Sequence, residues 1–106
     1  MKKIEVIIRP GLLERVREAL IAESNKGLTI TECRGNGHST HLMDNGDLQP
    51  RVLIELVVPD CKSSSTIATI TAAVRTGAHV DGIIFVSSIS GALHVRTGNL
   101  DDDAIA

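Results

Sequence analysis

Two strand–helix–strand patterns, joined by a long polar stretch, leave few folds open to this chain. Apolar and polar residues alternate over residues 2–8, which predicts a strand with one strongly apolar face, and Pro10 ends that strand. Helical spacing follows over residues 12–22, and Gly27 comes where a helix C-terminal cap is expected. β-Branched residues then alternate over residues 28–33 and predict the second strand.

The second half of the chain repeats this order. Residues 51–58 form the most apolar strand pattern, and a serine among residues 63–65 is expected to cap the helix that follows. The continuous apolar run 83–86 predicts a buried strand, and residues 92–95 predict a last short one. The order predicts an α+β fold: a ferredoxin-like βαββαβ sandwich with two helices on one face of an antiparallel sheet.

The remaining segments are polar. The periodic pattern collapses over residues 34–50, and a connection of that length in a compact domain is usually functional or mobile. The C-terminus carries an acidic run at residues 101–103, which is typical of a solvated segment. We therefore expect a single domain over residues 1–106, with a mobile loop at 36–50 and a C-terminal tail at 99–106.

Composition excludes several classes of protein. The net charge is −2, and Phe85, which we expect in the core, is the only aromatic residue. The sequence thus offers neither the basic footprint nor the aromatic platform of a nucleic-acid-binding protein. It also contains no segment typical of a signal peptide or a transmembrane helix. Cys33 and Cys61 lack CxxC spacing, so we expect inert, reduced thiols and a cytoplasmic location.

Three short segments combine glycine with a nearby cation. Gly77 and Gly82 bound a loop between a helix and a strand, where backbone N–H groups can cradle an anion. Residues 96–98 (Arg-Thr-Gly) and 34–38 (Arg-Gly-Asn-Gly-His) would supply positive charge. The hypothesis is one anion site assembled from three segments, and the plain alternative is that residues 77–82 form only a helix-to-strand turn.

Five separated segments resemble the PII signal-transduction family. They are MKKIEVIIRP, TITEC with RGNG, RVLIELVVPD, RTG followed by DGIIFV, and HVRTG followed by DDDAI. The likeness covers residues 1–105, and only the long loop departs from it. It implies a cytoplasmic homotrimer of ferredoxin-like subunits, with adenine nucleotides in the clefts between subunits. The loop at 36–50 would carry the signal to a partner protein.

The resemblance also implies which residues bind the nucleotide. The glycine loop 77–82 and Arg96 would meet the phosphates, Ile7 and Val57 would line the adenine pocket, and Glu55 would lie near the ribose. Backbone N–H groups and an arginine fork suit phosphate oxygens. The full implied set is Ile7, Thr29, Gly35, Asn36, Gly37, His38, Glu55, Val57, Thr76, Gly77, Asp81, Gly82, His94 and Arg96.

Departures from the family pattern change the expected ligands. Val80 and Ile83 stand where the family usually has a glycine and a cation, and His94 stands where it usually has an arginine. Fewer fixed cations favour ADP or AMP over ATP. Ser39 and Arg51 replace a glutamine and a lysine that the family uses for magnesium and 2-oxoglutarate, which disfavours 2-oxoglutarate sensing.

The short loop and the lack of tyrosine make the chain similar to the carboxysome-associated branch of the family. Members of that branch bind ADP or AMP and respond to bicarbonate. A guanidinium can hold a small planar anion through two hydrogen bonds, so the bicarbonate candidates are Arg9, Arg34, Arg51 and His41. We expect a non-catalytic regulator that senses bicarbonate and signals to a transporter or another carboxysome-linked protein.

Three other functions stay open. A nitrogen-type regulator would sense ATP and 2-oxoglutarate. A trimeric metal-binding protein of similar architecture would rely on His38 and His41, with Cys33 or Asp44 beside them. The third is an enzyme such as a small phosphatase, but no segment of the sequence pairs a nucleophile with a base. We therefore expect no catalytic residue and no bound metal.

Overall fold

The computed structural model describes residues 1–25, 27–36, 48–75 and 82–106. Within them, a four-stranded sheet with the order β2-β3-β1-β4 pairs antiparallel throughout, as the α+β prediction requires. Both long helices contact each other, and the buried core lies between them and the sheet. The elements are β1 (Lys2–Ile8), a 3₁₀ turn (Pro10–Leu12), α1 (Leu13–Ala22), β2 (Thr29–Gly35), β3 (Gln49–Val58), α2 (Asp60–Val74), β4 (Ile83–Ser88) and α3 (Asp102–Ile105).

The two central strands bury one face against the helices. Alternation sends every second side chain to the same side of a strand, so the apolar set of β1 and the apolar set of β3 meet the helices together. The helices close this core with their own apolar stripes. The core consists of Ile4, Val6, Ile8, Val52, Ile54, Leu56 and Val58 from the sheet, and of Leu12, Val16, Leu20, Ile70, Ala73 and Val74 from the helical layer.

The end of α1 differs from the sequence-based expectation. We predicted Gly27 as the cap, but Ser24 takes the left-handed conformation, with φ of 69°. The Ser24 N–H donates to the Ile21 carbonyl at 2.9 Å, and the Asn25 N–H donates to the Leu20 carbonyl at 3.0 Å. This is the Schellman arrangement, which satisfies two carbonyls of the last turn. The left-handed residue is therefore Ser24, three positions before the predicted Gly27.

Two other element boundaries also shift. β3 begins at Gln49, so the last two residues of the predicted loop 36–50 belong to a strand. α2 begins at Asp60 rather than after a serine cap. The Asp60 carboxylate lies 2.9 Å from the N-terminal amine of Met1, and the hydrogen bond from that amine lowers the pKa of Asp60 below its ordinary value.

The sheet narrows to two strands at one end. β1 ends at Ile8 opposite Val52, whereas β2 continues to pair with β3 as far as Gly35 opposite Gln49. Pro50 lies in this two-stranded extension, opposite Arg34. A proline lacks the N–H of a ladder hydrogen bond, and it is accommodated here because its strand has a neighbour on one side only.

The strand β4 is not buried as its apolar run predicted. It lies at the edge of the sheet beside β1, and Phe85 is 51% exposed. The register pairs Phe85 with Glu5 and Ile83 with Ile7, which puts these side chains on the face away from the helices. We call this side of the sheet the open face. Phe85 was expected in the core, and that expectation was wrong because no element of the described chain covers the open face above it.

The C-terminal segment forms a turn and a short helix where a strand at 92–95 was predicted, and the acidic run at residues 101–103 is exposed, as predicted. In place of the predicted strand at 92–95, Leu93 makes a single bridge to Leu100. The Asp101 N–H donates to the Ala92 carbonyl at 2.8 Å, and the Ala92 N–H donates to Asp101 Oδ1 at 3.1 Å. These bonds close the turn that precedes α3, and α3 contacts β3.

Candidate functional site

Side chains of different strands form rows across the open face. Residues directly opposite in an antiparallel pair point to the same side, so Thr29, Glu55, Glu5 and Phe85 make one row across all four strands. The row beside it consists of Thr31, Leu53, Ile7 and Ile83. Three predicted nucleotide-site residues, Ile7, Thr29 and Glu55, therefore lie on one face of the sheet.

A groove of about 870 Å³ opens at the end of this face. The carboxyl end of β3, the connection between α1 and β2, the first turn of α2 and the C-terminal segment form its walls. Four of the residues that the family resemblance singled out line it together: Thr29, Glu55, Val57 and His94. They come from three separate parts of the chain, so their convergence is a result of the fold and not of sequence proximity.

A small network of charges lies in the groove wall. Lys3 Nζ is 2.9 Å from Glu55 Oε2 and 3.7 Å from Glu5 Oε1. Glu5 and Glu55 are direct cross-strand partners, and like charges in that position repel. Lys3 offsets this repulsion, and its hydrogen bond to Glu55 raises the pKa of Lys3 above its ordinary value. The lysine holds the Glu55 carboxylate in the groove with its remaining lone pairs available to a donor.

Two backbone hydrogen bonds fix the turn that contains His94, one of the residues that line the groove. The His94 N–H donates to the Asn99 carbonyl at 2.8 Å, and the His94 carbonyl accepts from the Gly98 N–H at 2.8 Å. Gly98 has φ of 75°, which closes the turn without a steric penalty. Arg96 lies within the turn and is exposed, and it is not among the lining residues.

A second group of predicted site residues lies at the other end of β1. Ile7 pairs with Ile83, and Gly82 immediately precedes that pair. A Cβ on Gly82 would lie 2.9 Å from the Ile7 carbonyl oxygen, and Gly82 has φ of 139°, so only glycine fits without strain. Lys3 and Ile7 are four residues apart along a strand, about 13 Å. The structure thus separates Gly82 and Ile7 from the groove instead of joining them to it.

The strand ends around the two-stranded extension carry the arginines predicted for the anion. Arg51 pairs with Cys33, and alternation places both on the open face, whereas Arg34 pairs with Pro50 on the opposite face. Arg9 directly follows β1 at the same end of the sheet as Arg51. The Arg9 Nε atom is buried and has no hydrogen-bond partner in the part of the chain that the structure describes. Arg9 and Arg51 thus come at the same end of the sheet, whereas Arg34 lies on the face opposite to Arg51.

The remaining predicted residues lie at the end of β2 or outside the described residues. Gly35 ends β2 opposite Gln49, and Asn36 follows it, exposed. The other members of the predicted set fall outside the described residues: Gly37, His38, His41, Thr76, Gly77 and Asp81.

Comparisons with known proteins identify the family of this chain. The sequence model of the family described as "Nitrogen regulatory protein P-II" matches residues 1–99. The chain belongs to the P-II family. Nitrogen regulatory protein P-II of Rhodobacter capsulatus and nitrogen regulatory protein P-II 1 of Escherichia coli (strain K12) are each 41% identical over 112 residues, which span 99% of this chain and 100% of the relative.

A solved P-II structure confirms the fold. The crystal structure of Arabidopsis thaliana PII bound to citrate superimposes with a TM-score of 0.84 at 34% identity, covering 97% of this chain and 90% of that one. The ferredoxin-like prediction and the family resemblance are thereby confirmed. In the described ranges, no helix is long and apolar enough to cross a bilayer.

Cysteines and metal ligands add little to the site of this P-II family member. Cys33 and Cys61 are free thiols, the first on the open face of β2 and the second in the first turn of α2. No cluster of metal-ligating side chains occurs among residues 1–25, 27–36, 48–75 and 82–106. His38 and His41, on which the metal hypothesis depends, lie outside those ranges.

Sequence reasoning missed two cations of the groove, Lys3 and Lys62. Lys3 looked like an ordinary polar position of an alternating strand, and Lys62 looked like a solvated residue near a helix start. The available signal was the alternation itself, which puts Lys3 on the same face as Glu5. Its partner Glu55 could not be identified without the register between β1 and β3.

Proposed function

We propose that this P-II protein is a non-catalytic regulator that binds an adenine nucleotide, with ADP or AMP favoured, in the groove at the end of the open face. The observation that carries the proposal is the convergence of Thr29, Glu55, Val57 and His94 on that groove. Its walls mix apolar and polar groups from several elements, which is the usual character of a small-molecule site.

The chemistry of the lining suits the three parts of a nucleotide. Val57 offers an apolar contact to a purine ring, and the Glu55 carboxylate, held by Lys3, can accept hydrogen bonds from ribose hydroxyls. Lys62 and His94 can donate to phosphate oxygens. A groove with so few cations suits a nucleotide of low charge, which supports ADP or AMP over ATP.

Calorimetry with ADP, AMP and ATP tests this proposal, because the chain has no Trp or Tyr to report binding by fluorescence. Glu55→Gln should weaken ADP binding about tenfold, since it removes the charge from one acceptor. Glu32→Gln is the matched control, because Glu32 pairs with Val52 and so lies on the other face of the sheet. Equal affinity in the wild type and Glu55→Gln, with circular dichroism showing both folded, would contradict the assignment.

The assembly we propose is a homotrimer in which the open face is covered by neighbouring subunits. Two observations support it: the predicted site residues divide between the two ends of β1, and Ile83 and Phe85 expose 46% and 51% of their surface on the open face. A neighbouring chain would cover these apolar groups. Phe85→Ser should lower the mass measured by light scattering, and Ile21→Ser, a similarly exposed residue on α1, should not. A monomeric wild type at micromolar concentration would refute the trimer.

We further propose that the anion sensed beside the nucleotide is bicarbonate, held by Arg9 and Arg51. Both come at the same end of the sheet, and the Arg9 Nε atom lacks a partner in the described chain. The residues between β2 and β3 would then signal the bound state to a protein partner such as a transporter. In saturating ADP, bicarbonate should bind by calorimetry, and Arg9→Gln should abolish the response. Arg34→Gln, on the opposite face, is the control.

A nitrogen-type regulator that senses ATP and 2-oxoglutarate is the second candidate. It is supported by the curated relatives, which are named nitrogen regulatory proteins, and by the Arabidopsis PII structure, which is described as bound to citrate, a carboxylate. The same titrations separate the two candidates. Coupling of 2-oxoglutarate to ATP, without a bicarbonate effect, would favour the nitrogen-type regulator and overturn the bicarbonate proposal.

A further inference from the structure

We infer that Lys3 is a specificity-determining residue of the groove: by fixing the Glu55 carboxylate, it makes the site select ligands that carry a ribose over the corresponding deoxyribose compounds. This inference rests on the proposed nucleotide site and names the ligand feature that the site recognises. It is carried by the contacts of Lys3, by the register of the sheet, and by the residues next to Glu55 on the open face.

Lys3 lies between two carboxylates. Its Nζ atom is 2.9 Å from Glu55 Oε2 and 3.7 Å from Glu5 Oε1. Glu5 and Glu55 are direct cross-strand partners, so without the cation their like charges would drive the two side chains apart. The hydrogen bond to Glu55 raises the pKa of Lys3, so the ammonium stays charged at neutral pH. The position of the Glu55 carboxylate therefore depends on Lys3.

A carboxylate that is already fixed is a better acceptor than a mobile one. A glutamate side chain has several rotamers, and ordering it when a ligand binds costs conformational entropy. The contact with Lys3 orders Glu55 before a ligand arrives, which is preorganisation. Because Lys3 contacts Oε2, a donor of the ligand would bond to Oε1, and an ionised carboxylate only accepts hydrogen bonds. The site therefore requires a ligand group that donates.

The neighbours of Glu55 indicate that this donor is a sugar hydroxyl. Thr29 is the direct cross-strand partner of Glu55 on β2, and its hydroxyl can donate as well as accept. Two adjacent polar groups on one row thus match the two adjacent hydroxyls of a ribose. Val57 lies two residues further along β3 on the same face, roughly 7 Å away, and offers an apolar contact. The ribose would thus meet Glu55 and Thr29 while the base lies on Val57.

The expected effect is a ratio of affinities. Removing one ribose hydroxyl leaves the Glu55 carboxylate without its donor, so we expect the wild type to bind ADP about tenfold more tightly than the more affected of 2′-deoxy-ADP and 3′-deoxy-ADP. Lys3→Met releases the carboxylate, and the ratio should fall to about twofold. Lys3→Arg should keep most of the ratio, because a guanidinium pairs with the same carboxylate.

Calorimetry of the full chain with ADP, the two deoxy forms and inosine diphosphate measures these ratios. Because Lys3→Met also leaves two like charges opposite each other, it is compared with Lys3→Met/Glu5→Gln, which removes that repulsion but leaves the groove carboxylate unfixed. Lys2→Met is the matched control, since Lys2 lies on the other face of β1 and donates to Ser88 Oγ at 2.8 Å. Urea unfolding of each variant measures stability separately.

The inference requires that the ribose preference falls in Lys3→Met, stays low in the double variant even when stability recovers, and is kept in Lys3→Arg and Lys2→Met. It is overturned if the wild type does not prefer the ribose, if Lys3→Met keeps the wild-type ratio, or if Lys3→Met weakens all forms equally. It is also overturned if inosine diphosphate, which lacks the amino group of adenine, binds more weakly than ADP in the wild type but not in Lys3→Met, because Glu55 would then bind the base.

A complete lack of adenine-nucleotide binding by the wild type would instead refute the proposed nucleotide site, and with it this inference.

Discussion

Replacing Gly82 with alanine tests how tightly the chain packs where β4 begins. A Cβ at this position would lie 2.9 Å from the Ile7 carbonyl oxygen and 3.0 Å from Ile8 Cγ2, and φ is 139°. The positive φ alone costs a side-chain-bearing residue roughly 1–2 kcal/mol. The carbonyl belongs to the ladder of a central strand and cannot retreat freely, so the overlap adds roughly another 1–2 kcal/mol. We expect Gly82→Ala to lower the free energy of unfolding by about 3 kcal/mol.

Two other glycines separate the conformational cost of a positive φ from the cost of the steric overlap. Gly98 has φ of 75° but open space around its Cα, so Gly98→Ala should show the conformational cost alone, about 1 kcal/mol. Gly11 has neither a positive φ nor a neighbour within 4 Å, so Gly11→Ala should be neutral or stabilising by up to about 1 kcal/mol.

The assay is urea unfolding followed by far-UV circular dichroism, at one protein concentration because association would shift the midpoint. Differences in midpoint convert to free energies only if the m-value is unchanged. If Gly82→Ala and Gly98→Ala unfold at the same urea concentration, the overlap with Ile7 does not exist. The reasoning about the start of β4 would then be wrong.

Three further predictions follow from the described contacts. The pKa of Asp60 is lowered in the folded protein. The carboxylate therefore stabilises the fold above the ordinary aspartate pKa, about 3.9, and this contribution is lost as pH falls through the lower folded value. Asp60→Asn should reduce the melting temperature at pH 7 but not near pH 2. Ser24→Gly should stabilise the protein by up to about 1 kcal/mol in urea, because it removes the cost of a left-handed serine. Lys3→Met leaves Glu5 opposite Glu55 without a bridging cation, so it should destabilise the protein at pH 7, and adding Glu5→Gln should restore part of the loss.

Alternation and helical spacing were sufficient to predict most of the framework. The strand at residues 2–8 and the apolar strand that ends at Val58 follow directly from patterns that need one buried face. Proline marked the ends of both strands correctly, because it cannot continue a ladder. These features depend on local chemistry, which a sequence displays.

Features that depend on tertiary context were predicted poorly. Phe85 belongs to an apolar run, but whether such a run is central or at an edge depends on strand order, which no local pattern encodes. Ser24 takes the left-handed position at the end of α1, although Gly27 has the better intrinsic propensity for it.

In the candidate site too, some residues were found from the sequence and others depended on tertiary contacts. The family resemblance singled out Glu55 and His94 as nucleotide-binding residues, and both line the groove. The family resemblance did not reveal that Lys3 contacts Glu55, because this contact depends on the register between β1 and β3. A shift of one residue in that register would move Lys3 to the other face of the sheet. For the same reason, Arg34 and Arg51 were grouped although they lie on opposite faces.

The two-stranded extension at the end of the sheet is held by the pairing of β2 with β3 alone, so it bends more easily than the four-stranded part. Its three residue pairs, from Cys33 with Arg51 to Gly35 with Gln49, span roughly 7–10 Å in which no third strand of the described chain pairs with β2 or β3. Arg51 is the first residue of β3 beyond the last pair with β1, and Arg9 directly follows the end of β1. A change in twist at the Cys33–Arg51 pair would therefore displace the far end of the extension by more than it displaces the residues beside β1.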